Sequence, residues 1–506
     1  MTPARSSSRA PVPLSTSALP EIAAVIPVPR YDRTSLTAGI VHIGVGGFHR
    51  AHQAMYVDAL MNMGLAKDWA IVGVGTMPQD RAMADALRSQ DHLYTLAIKG
   101  PGGELSPRVI GSIVGYELTS DGPEAVIEDL ASPTTRLVTL TITEGGYNVD
   151  PVTGQFDSTN RRVLEDAALG ASSPSAFGVV VEALRRRRER RVLPFTVLSC
   201  DNIPSNGHLT RDAFVAFASL RDPELAAWIH GEVHFPSSMV DRITPVTSET
   251  DVAALEVGFG VQDRWPVVCE PFTQWVVEDD FGPCGRPPFE EVGAQFVRDV
   301  APYELMKLRL LNASHQALCY LGYLAGYRYV HEAAGDPLFG RFLRAYMERE
   351  AIPTLHPVPG VDLANYVTSV IERFANPEIR DTLARICADT SDRIPKFLLP
   401  VLRAQLGSGG QVELAALVVA SWARYARGVD DDGLPIDVVD PLRERLMTAA
   451  RTDIGVASAA FLGVQEVFGD LADNERFRAA YVTALSSLDA VGARATLEKL
   501  RGEGII

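Results

Sequence analysis

Lysine is nearly absent from this chain. Of 47 Lys plus Arg residues, only Lys67, Lys99, Lys307, Lys396 and Lys499 are lysines. Basic charge is in deficit overall, with a net charge of -16. That balance argues against a general nucleic-acid binder or a membrane-surface protein. No apolar run approaches the ~18 to 20 residues needed to span a bilayer. The five cysteines (Cys200, Cys269, Cys284, Cys319 and Cys387) are scattered and form no CxxC pair. Neither a disulfide framework nor a structural metal site is expected, and a reducing cytoplasm fits. Residues 1–20 are rich in Ser, Ala and Pro but lack the apolar stretch of a secretory signal. Pro11 and Pro13 interrupt the amphipathic helix that an organelle transit peptide would need. A disordered or extended tail is therefore expected over residues 1–37.

What is present is a long, apolar chain. Its 506 residues are 46% hydrophobic, enough for two or three domains. One of the rare lysines stands in an apolar helical pattern, Glu304-Leu-Met-Lys307-Leu-Arg-Leu-Leu-Asn312-Ala-Ser-His315. At α-helical spacing, Glu304, His315 and Asn312 fall roughly 60°, 80° and 140° around the axis from Lys307. All four share one broad face. Arginine keeps its proton, whereas a desolvated lysine can release it. Lys307 is thus a candidate general base, with Asn312 as hydrogen-bond donor and His315 as a further polar contact. A snorkelling lysine, a helix-end Asn and a satisfied core His would give the same pattern.

Further towards the N-terminus, Gly39 to Gly46 reads as a buried strand entering a glycine turn, followed by a helix over Gln53–Met63. Gly44, Gly46 and Gly47 form GxGG rather than the full GxGxxG, because position 49 is His. Such glycines let backbone N–H groups approach a pyrophosphate, although an ordinary strand-to-helix turn reads the same way. A second strand, Trp69–Gly75, precedes Asp80, which could hydrogen-bond the adenosine ribose and repel a 2′-phosphate, or cap the next helix. Arg81 stands beside it. Strand-like runs follow at Leu93–Ile98, Arg108–Tyr116 and Leu137–Thr143, the last ending in the glycine-rich loop Glu144–Asn148. A helix near Ser173–Arg191 carries Arg185 to Arg188, read as a solvated helix end. Another strand delivers Asp201 and Asn202 to its C-terminal edge, and Asn202 could equally serve an Asx turn. Glu270 to Val277 looks like a late strand. Helical patterns dominate from about Tyr303. The expected fold is α/β, a Rossmann-type domain over 38–297 followed by a mainly α-helical domain over 298–506.

Five segments in one order then resemble the polyol-specific long-chain dehydrogenase/reductase family, and its mannitol branch most. They are Gly44-Val-Gly-Gly-Phe-His-Arg-Ala-His52, Thr143-Glu-Gly-Gly-Tyr147, Cys200-Asp-Asn202-Ile-Pro-Ser-Asn-Gly207, the stretch Val233–Pro245 around Asp241 and Arg242, and Lys307-xxxx-Asn312-xx-His315. The resemblance covers the chain from about residue 38. It implies a Rossmann-type domain, a helical domain, an active site between them, and NAD-linked, zinc-independent interconversion of a polyol and a ketose.

By matching motif, the resemblance implies Lys307 as catalytic acid/base and Asn202 with Asn312 as the oxyanion hole. His315 and Asp241 would contact the polyol, and Glu304 would line a proton route to Lys307. The implied NAD site comprises Gly44, Gly46, Gly47, Phe48, Asp80 and Glu144. A second substrate segment matches Arg385-Ile-Cys-Ala-Asp389-Thr-Ser391-Asp-Arg393, which makes Arg385 and Arg393 hydroxyl contacts. This chain departs from the family at Gln79, where an acid is frequent, and at Ala388, where some members have His. D-mannitol and D-fructose are the expected pair. D-arabinitol 4-dehydrogenase and fructuronate reductase are alternatives within the family, the latter needing a cation for its substrate carboxylate. Outside the family stand a non-catalytic NAD-binding sensor and a 6-phosphogluconate or 3-hydroxyacid type dehydrogenase. No nucleic acid or membrane partner is expected, and the family-like oligomeric state is a monomer.

Overall fold

The computed structural model describes residues 10–150, 154–168, 174–453 and 458–506. The chain divides into two compact units, one ending at Ala301 and the other beginning at Pro302.

The first unit is built on five parallel strands: β1 (Ala38–Ile43), β2 (Ala70–Gly75), β3 (Ile113–Leu118), β4 (Leu137–Leu140) and β5 (Thr196–Ser199). Their order across the sheet is β3-β2-β1-β4-β5. The strands read as continuous Val, Ile and Leu runs because helices cover both faces. On one face Val41, Ile43, Val138, Leu140 and Val197 are buried with apolar residues of helices Pro123–Ala131, Ala176–Arg190 and Asn206–Ser219. On the other, Ile40, Ile71, Leu137 and Leu198 join Tyr56, Val57 and Leu60 of helix Gln53–Asn62. The strand order reverses at β1, which places a crevice at the C-terminal ends of β1 and β4, where open sheets of this kind receive ligands. Beyond β5, Val197 N–H donates to His234 O, and strand Ser238–Asp241 pairs antiparallel with Gln274–Glu278.

Three local expectations give way here. The run Arg108–Tyr116 is not one strand. Leu105–Ile110 pairs antiparallel with Tyr94–Lys99 in a separate sheet, and only Ile113–Leu118 joins the central one. The break falls where Gly111 N–H donates to the buried Asp58 carboxylate at 3.0 Å. The expected tail is, from residue 10 on, a packed segment. Val12–Pro13 pairs with Val261–Gln262, and Leu14, Ile22 and Ile26 are buried with Leu93, Val109 and Val261. Residues 1–9 lie outside the described residues. The arginine run is only partly a solvated end. Arg187 is fully buried, its guanidinium donating to the carbonyls of Leu193, Leu130, Ser132 and Thr135. Arg186 instead ties Glu124, Glu128 and Glu182 together at the surface.

The second unit is helical, and among its described residues only isolated β-bridges occur. Helix Glu413–Ala426 is apolar around nearly its whole circumference, which marks it as the centre of that unit. Helices Ala313–Leu324 and Glu475–Gly502 pack on it. Among the described residues, no helix is long and apolar enough to cross a membrane.

Candidate active site

The glycine turn leaves the C-terminal end of β1, at the point where the strand order reverses. Gly44 has φ +93°, and a Cβ there would lie 2.1 Å from Thr141 O. Only glycine fits both the backbone angle and the space. Its N–H donates to Val74 O at 2.9 Å, and its carbonyl accepts from the Thr141 hydroxyl at 2.6 Å. Gly46 then caps a short helix, Gly47–Ala51, and Phe48 stacks on His52 at 4.9 Å between ring centroids. At the end of β2, Asp80 lies so close that a Cβ on Gly75 would come within 2.9 Å of its Oδ2. Asp80 opens helix Asp80–Arg88, and its Oδ2 accepts Met77 N–H at 2.9 Å. Arg81 is turned to Asp121 and Ser120, so its charge is matched by a carboxylate. These residues could hold a dinucleotide. The turn leaves no room for a side chain at Gly44, and a carboxylate stands at the end of the neighbouring strand.

Past β4, Thr143 adopts φ +62°, an outlier for a β-branched residue. The expected glycine loop is here a short helical turn, Thr143–Gly146, with Glu144 exposed. Asp201, at the end of β5, holds this turn: its carboxylate accepts Ile142 N–H at 3.0 Å, Thr143 N–H at 2.9 Å and Tyr147 O–H at 2.7 Å. Burial pushes the Asp201 carboxyl up, against these hydrogen bonds, which pull it down. Next to it Asn202 is exposed. The bend is locked by Asn206, whose amide donates to Asp201 O and Ser238 O and accepts Ser238 N–H at 2.9 Å. A Cβ on Gly207 would lie 2.4 Å from Phe235 O, so the helix can approach that segment only with glycine there. Asp241, buried, ends strand Ser238–Asp241, and Arg242 is spent on the carbonyls of Ala51 and Glu270.

In the second unit the helical pattern read from Glu304 to His315 is interrupted. Ala301–Met306 and Ala313–Leu324 are α-helical, but Lys307–Asn312 forms a π-helical turn closed by Ala313 N–H donating to Leu308 O. An i→i+5 turn sets residue 312 near one full turn from residue 307, so Asn312 lies closer to the Lys307 side than α-helical spacing puts it. Such turns concentrate at functional sites. Lys307 is 8% exposed, and the Asn312 side-chain oxygen is buried without a hydrogen-bond partner. His315 stacks on Phe374 at 4.0 Å, and Glu304 is half-buried one turn before Lys307. Arg385 is exposed and paired with Asp381, while Arg393 donates to the carbonyls of Arg385 and Ile386. Among the described residues, no group of three or more His, Cys, Asp and Glu side chains could hold a metal ion.

Sequence reasoning missed the π turn, Phe374 and a pair of buried imidazoles. His42, on β1, and His49, in the first turn of the following helix, stack at 3.4 Å and 11°. Burial is the main cause that drives both imidazoles down, His42 well below its ordinary range and His49 to about 3. The unfolded chain protonates them near pH 6.5. Their contribution to stability is therefore full above about pH 6.5 and is lost as pH falls towards the folded values. Each is expected to cost about 1.4 kcal/mol per pH unit below that point. Urea midpoints at pH 7.5 and 5.5 measure this. The fall should be clearly smaller in His49→Gln, and an equal fall in both proteins would refute the assignment.

Comparison with known proteins places the chain. The mannitol dehydrogenase Rossmann domain matches residues 38–291, and the mannitol dehydrogenase C-terminal domain matches residues 299–489. The mannitol 2-dehydrogenase of Aspergillus fumigatus is 47% identical over 501 residues, covering 97% of this chain and 99% of the relative. A Pseudomonas fluorescens mannitol 2-dehydrogenase, solved as a ternary complex with NAD and D-mannitol, is 46% identical with a TM-score of 0.87, covering 97% of this chain and 100% of that one. A D-sorbitol dehydrogenase solved in substrate-free form is 38% identical with a TM-score of 0.88, covering 96% of this chain and 100% of that one. With both domain models matched in order and near-complete coverage at this identity, the chain belongs to the mannitol dehydrogenase family.

Proposed function

We propose that this protein is an NAD-dependent polyol dehydrogenase that interconverts D-mannitol and D-fructose. The observation that carries the reading is Lys307, a rare lysine, buried, and set in a π-helical turn that ends at Asn312. Oxidising a secondary alcohol requires loss of the hydroxyl proton as hydride leaves the same carbon. The bound nicotinamide would supply the hydride acceptor.

The chain's own residues supply the rest. Lys307, as the neutral amine, takes the hydroxyl proton, and in the reverse direction its ammonium returns a proton to the ketone oxygen. The side-chain amides of Asn202 and Asn312 are assigned as donors to the oxygen as it gains charge; one such donor is typically worth about 2.7–4 kcal/mol. Asp241 and His315 are assigned to the remaining polyol hydroxyls, His315 held flat by Phe374. Glu304 is assigned to proton exchange with Lys307, and Arg385 and Arg393 to outer hydroxyls. Gly44, Gly46, Gly47, Phe48 and Glu144 are assigned to the dinucleotide. The engagement of Arg81 by Asp121 favours NAD over NADP, because Asp80 would repel a 2′-phosphate and the adjacent guanidinium is already held by a carboxylate.

The test is NADH oxidation by purified protein with fructose, xylulose and fructuronate in parallel, repeated with NADPH. The expected result is turnover of fructose with NADH, at least tenfold better in kcat/KM than with NADPH, and mannitol rather than its C2 epimer sorbitol as product. Preference for xylulose or fructuronate would move the substrate while keeping Lys307. NADH binding without turnover of any ketose would overturn the enzyme reading in favour of a sensor.

A further inference from the structure

The hydrogen bonds around the buried imidazole of His42 can be given a direction. The Thr141 hydroxyl has one proton, and it is committed to the carbonyl of Gly44 at 2.6 Å, an atom that can only accept. Thr141 Oγ1 also lies 2.9 Å from His42 Nε2. With its proton spent, the hydroxyl must accept there, so Nε2 carries the hydrogen. Nδ1, 2.7 Å from Thr139 Oγ1, is then bare and accepts the Thr139 proton. The imidazole is neutral, because burial and the neighbouring His49 oppose a charge and outweigh a hydrogen bond to the Gly44 backbone that favours one. The chain therefore runs one way, from Thr139 to His42 to Thr141 to the carbonyl of Gly44.

The second imidazole is oriented by the same reasoning. The Gln53 amide nitrogen donates to Cys200 Sγ, which leaves its oxygen, 3.1 Å from His49 Nδ1, as acceptor. His49 thus carries its hydrogen on Nδ1. Its Nε2 is buried without a partner. The stacked pair joins the strand that enters the glycine turn to the helix that leaves it.

We propose that His42 is a positioning residue for the cofactor turn: as its Nε2–H tautomer it lets Thr141 hold the carbonyl of Gly44. The opposite tautomer would draw the Thr141 proton to Nε2 and release that carbonyl. Since Gly44 N–H is already fixed on Val74, the carbonyl is the group whose release lets the turn tilt. The proposal rests on the reading of Gly44–Phe48 as the dinucleotide turn. It assigns His42, Thr139 and Thr141 no contact with substrate.

The test compares variants that keep or cut the chain. In His42→Gln the amide nitrogen replaces Nε2 as donor to Thr141, whereas His42→Asn reaches only the Nδ1 position. Thr141→Val removes the last link at nearly constant volume and serves if His42→Asn fails to fold. The expected result is a tenfold rise in the KM and dissociation constant for NADH in His42→Asn and Thr141→Val. The kcat should stay within threefold, and His42→Gln should stay near the parent. The 15N shifts of the His42 ring in the parent should report hydrogen on Nε2. An Nδ1–H tautomer, or parent-like NADH affinity in both cut variants, overturns the proposal and leaves the cofactor reading intact. Failure of the parent itself to bind NADH overturns the cofactor reading instead.

Discussion

Replacing Lys307 by alanine is expected to lower kcat about a thousandfold, the range assigned to a positioned acid/base, while NADH binds within about twofold of the parent. The separation follows from where the residue stands. Lys307 opens the π turn of the second unit, and the glycine turn, Asp80 and the end of β5 all belong to the first. Truncating a single buried side chain at this site leaves a cavity that lowers stability without removing the fold, so the variant should fold. Lys307→Arg sharpens the experiment. Arginine keeps a positive charge but cannot give up its proton near neutral pH. If proton transfer is the role, Arg fails as badly as Ala. If only the charge matters, Arg restores turnover. Small amines added to Lys307→Ala should recover part of the rate by occupying the cavity. Turnover of Lys307→Ala within tenfold of the parent would sink the assignment.

The parallel strands and the buried helix were legible because their signals are local. Continuous Val and Ile runs ending in glycine mark β1 and β2, and the apolar run around Lys307 marks a buried helix. What escaped is what depends on residues far apart in sequence. The break at Gly111 exists because Asp58, 53 residues earlier, accepts its N–H. The packing of residues 12–26 depends on Val261 and Val109. Arg187 is buried because three carbonyls of the segment 130–135, more than 50 residues earlier, converge on it, whereas a run of four arginines reads as surface.

The candidate site divides the same way. The residue types were legible from their pattern, whereas their geometry was not. A strict 100° per residue puts Asn312 about 140° from Lys307, and nothing in the Leu-rich run signals the π turn that shortens the gap. The oxygen of Asn312 is buried and unpaired, which a satisfied helix-end asparagine would not be. The two imidazoles carried a faint signal, His42 inside an otherwise apolar strand. Its partners Thr139 and Thr141 lie 97 and 99 residues away, and only strand pairing brings them to it.

Gly44 is where the fold and the proposed chemistry make the same demand, and Gly44→Ala is expected to damage both. An L side chain at φ +93° costs about 1–2 kcal/mol by itself. The new methyl would stand 2.1 Å from Thr141 O, a backbone atom of the neighbouring strand's exit, which cannot rotate away as a side chain could. Relief requires the exits of β1 and β4 to separate, which strains the bonds from Gly44 to Val74 and to Thr141. The combined loss is expected to be about 3 kcal/mol or more, read as a fall in the urea midpoint of the first unit. NADH titration of the folded fraction should show at least a hundredfold weaker binding, because the turn that admits the pyrophosphate has been pushed off its position. Gly145→Ala is the control. That residue has no atom within 4 Å of an added Cβ and an ordinary backbone angle, so its variant should match the parent in stability. A Gly44→Ala protein with parent-like NADH affinity would remove this turn from the cofactor site, whatever its effect on folding.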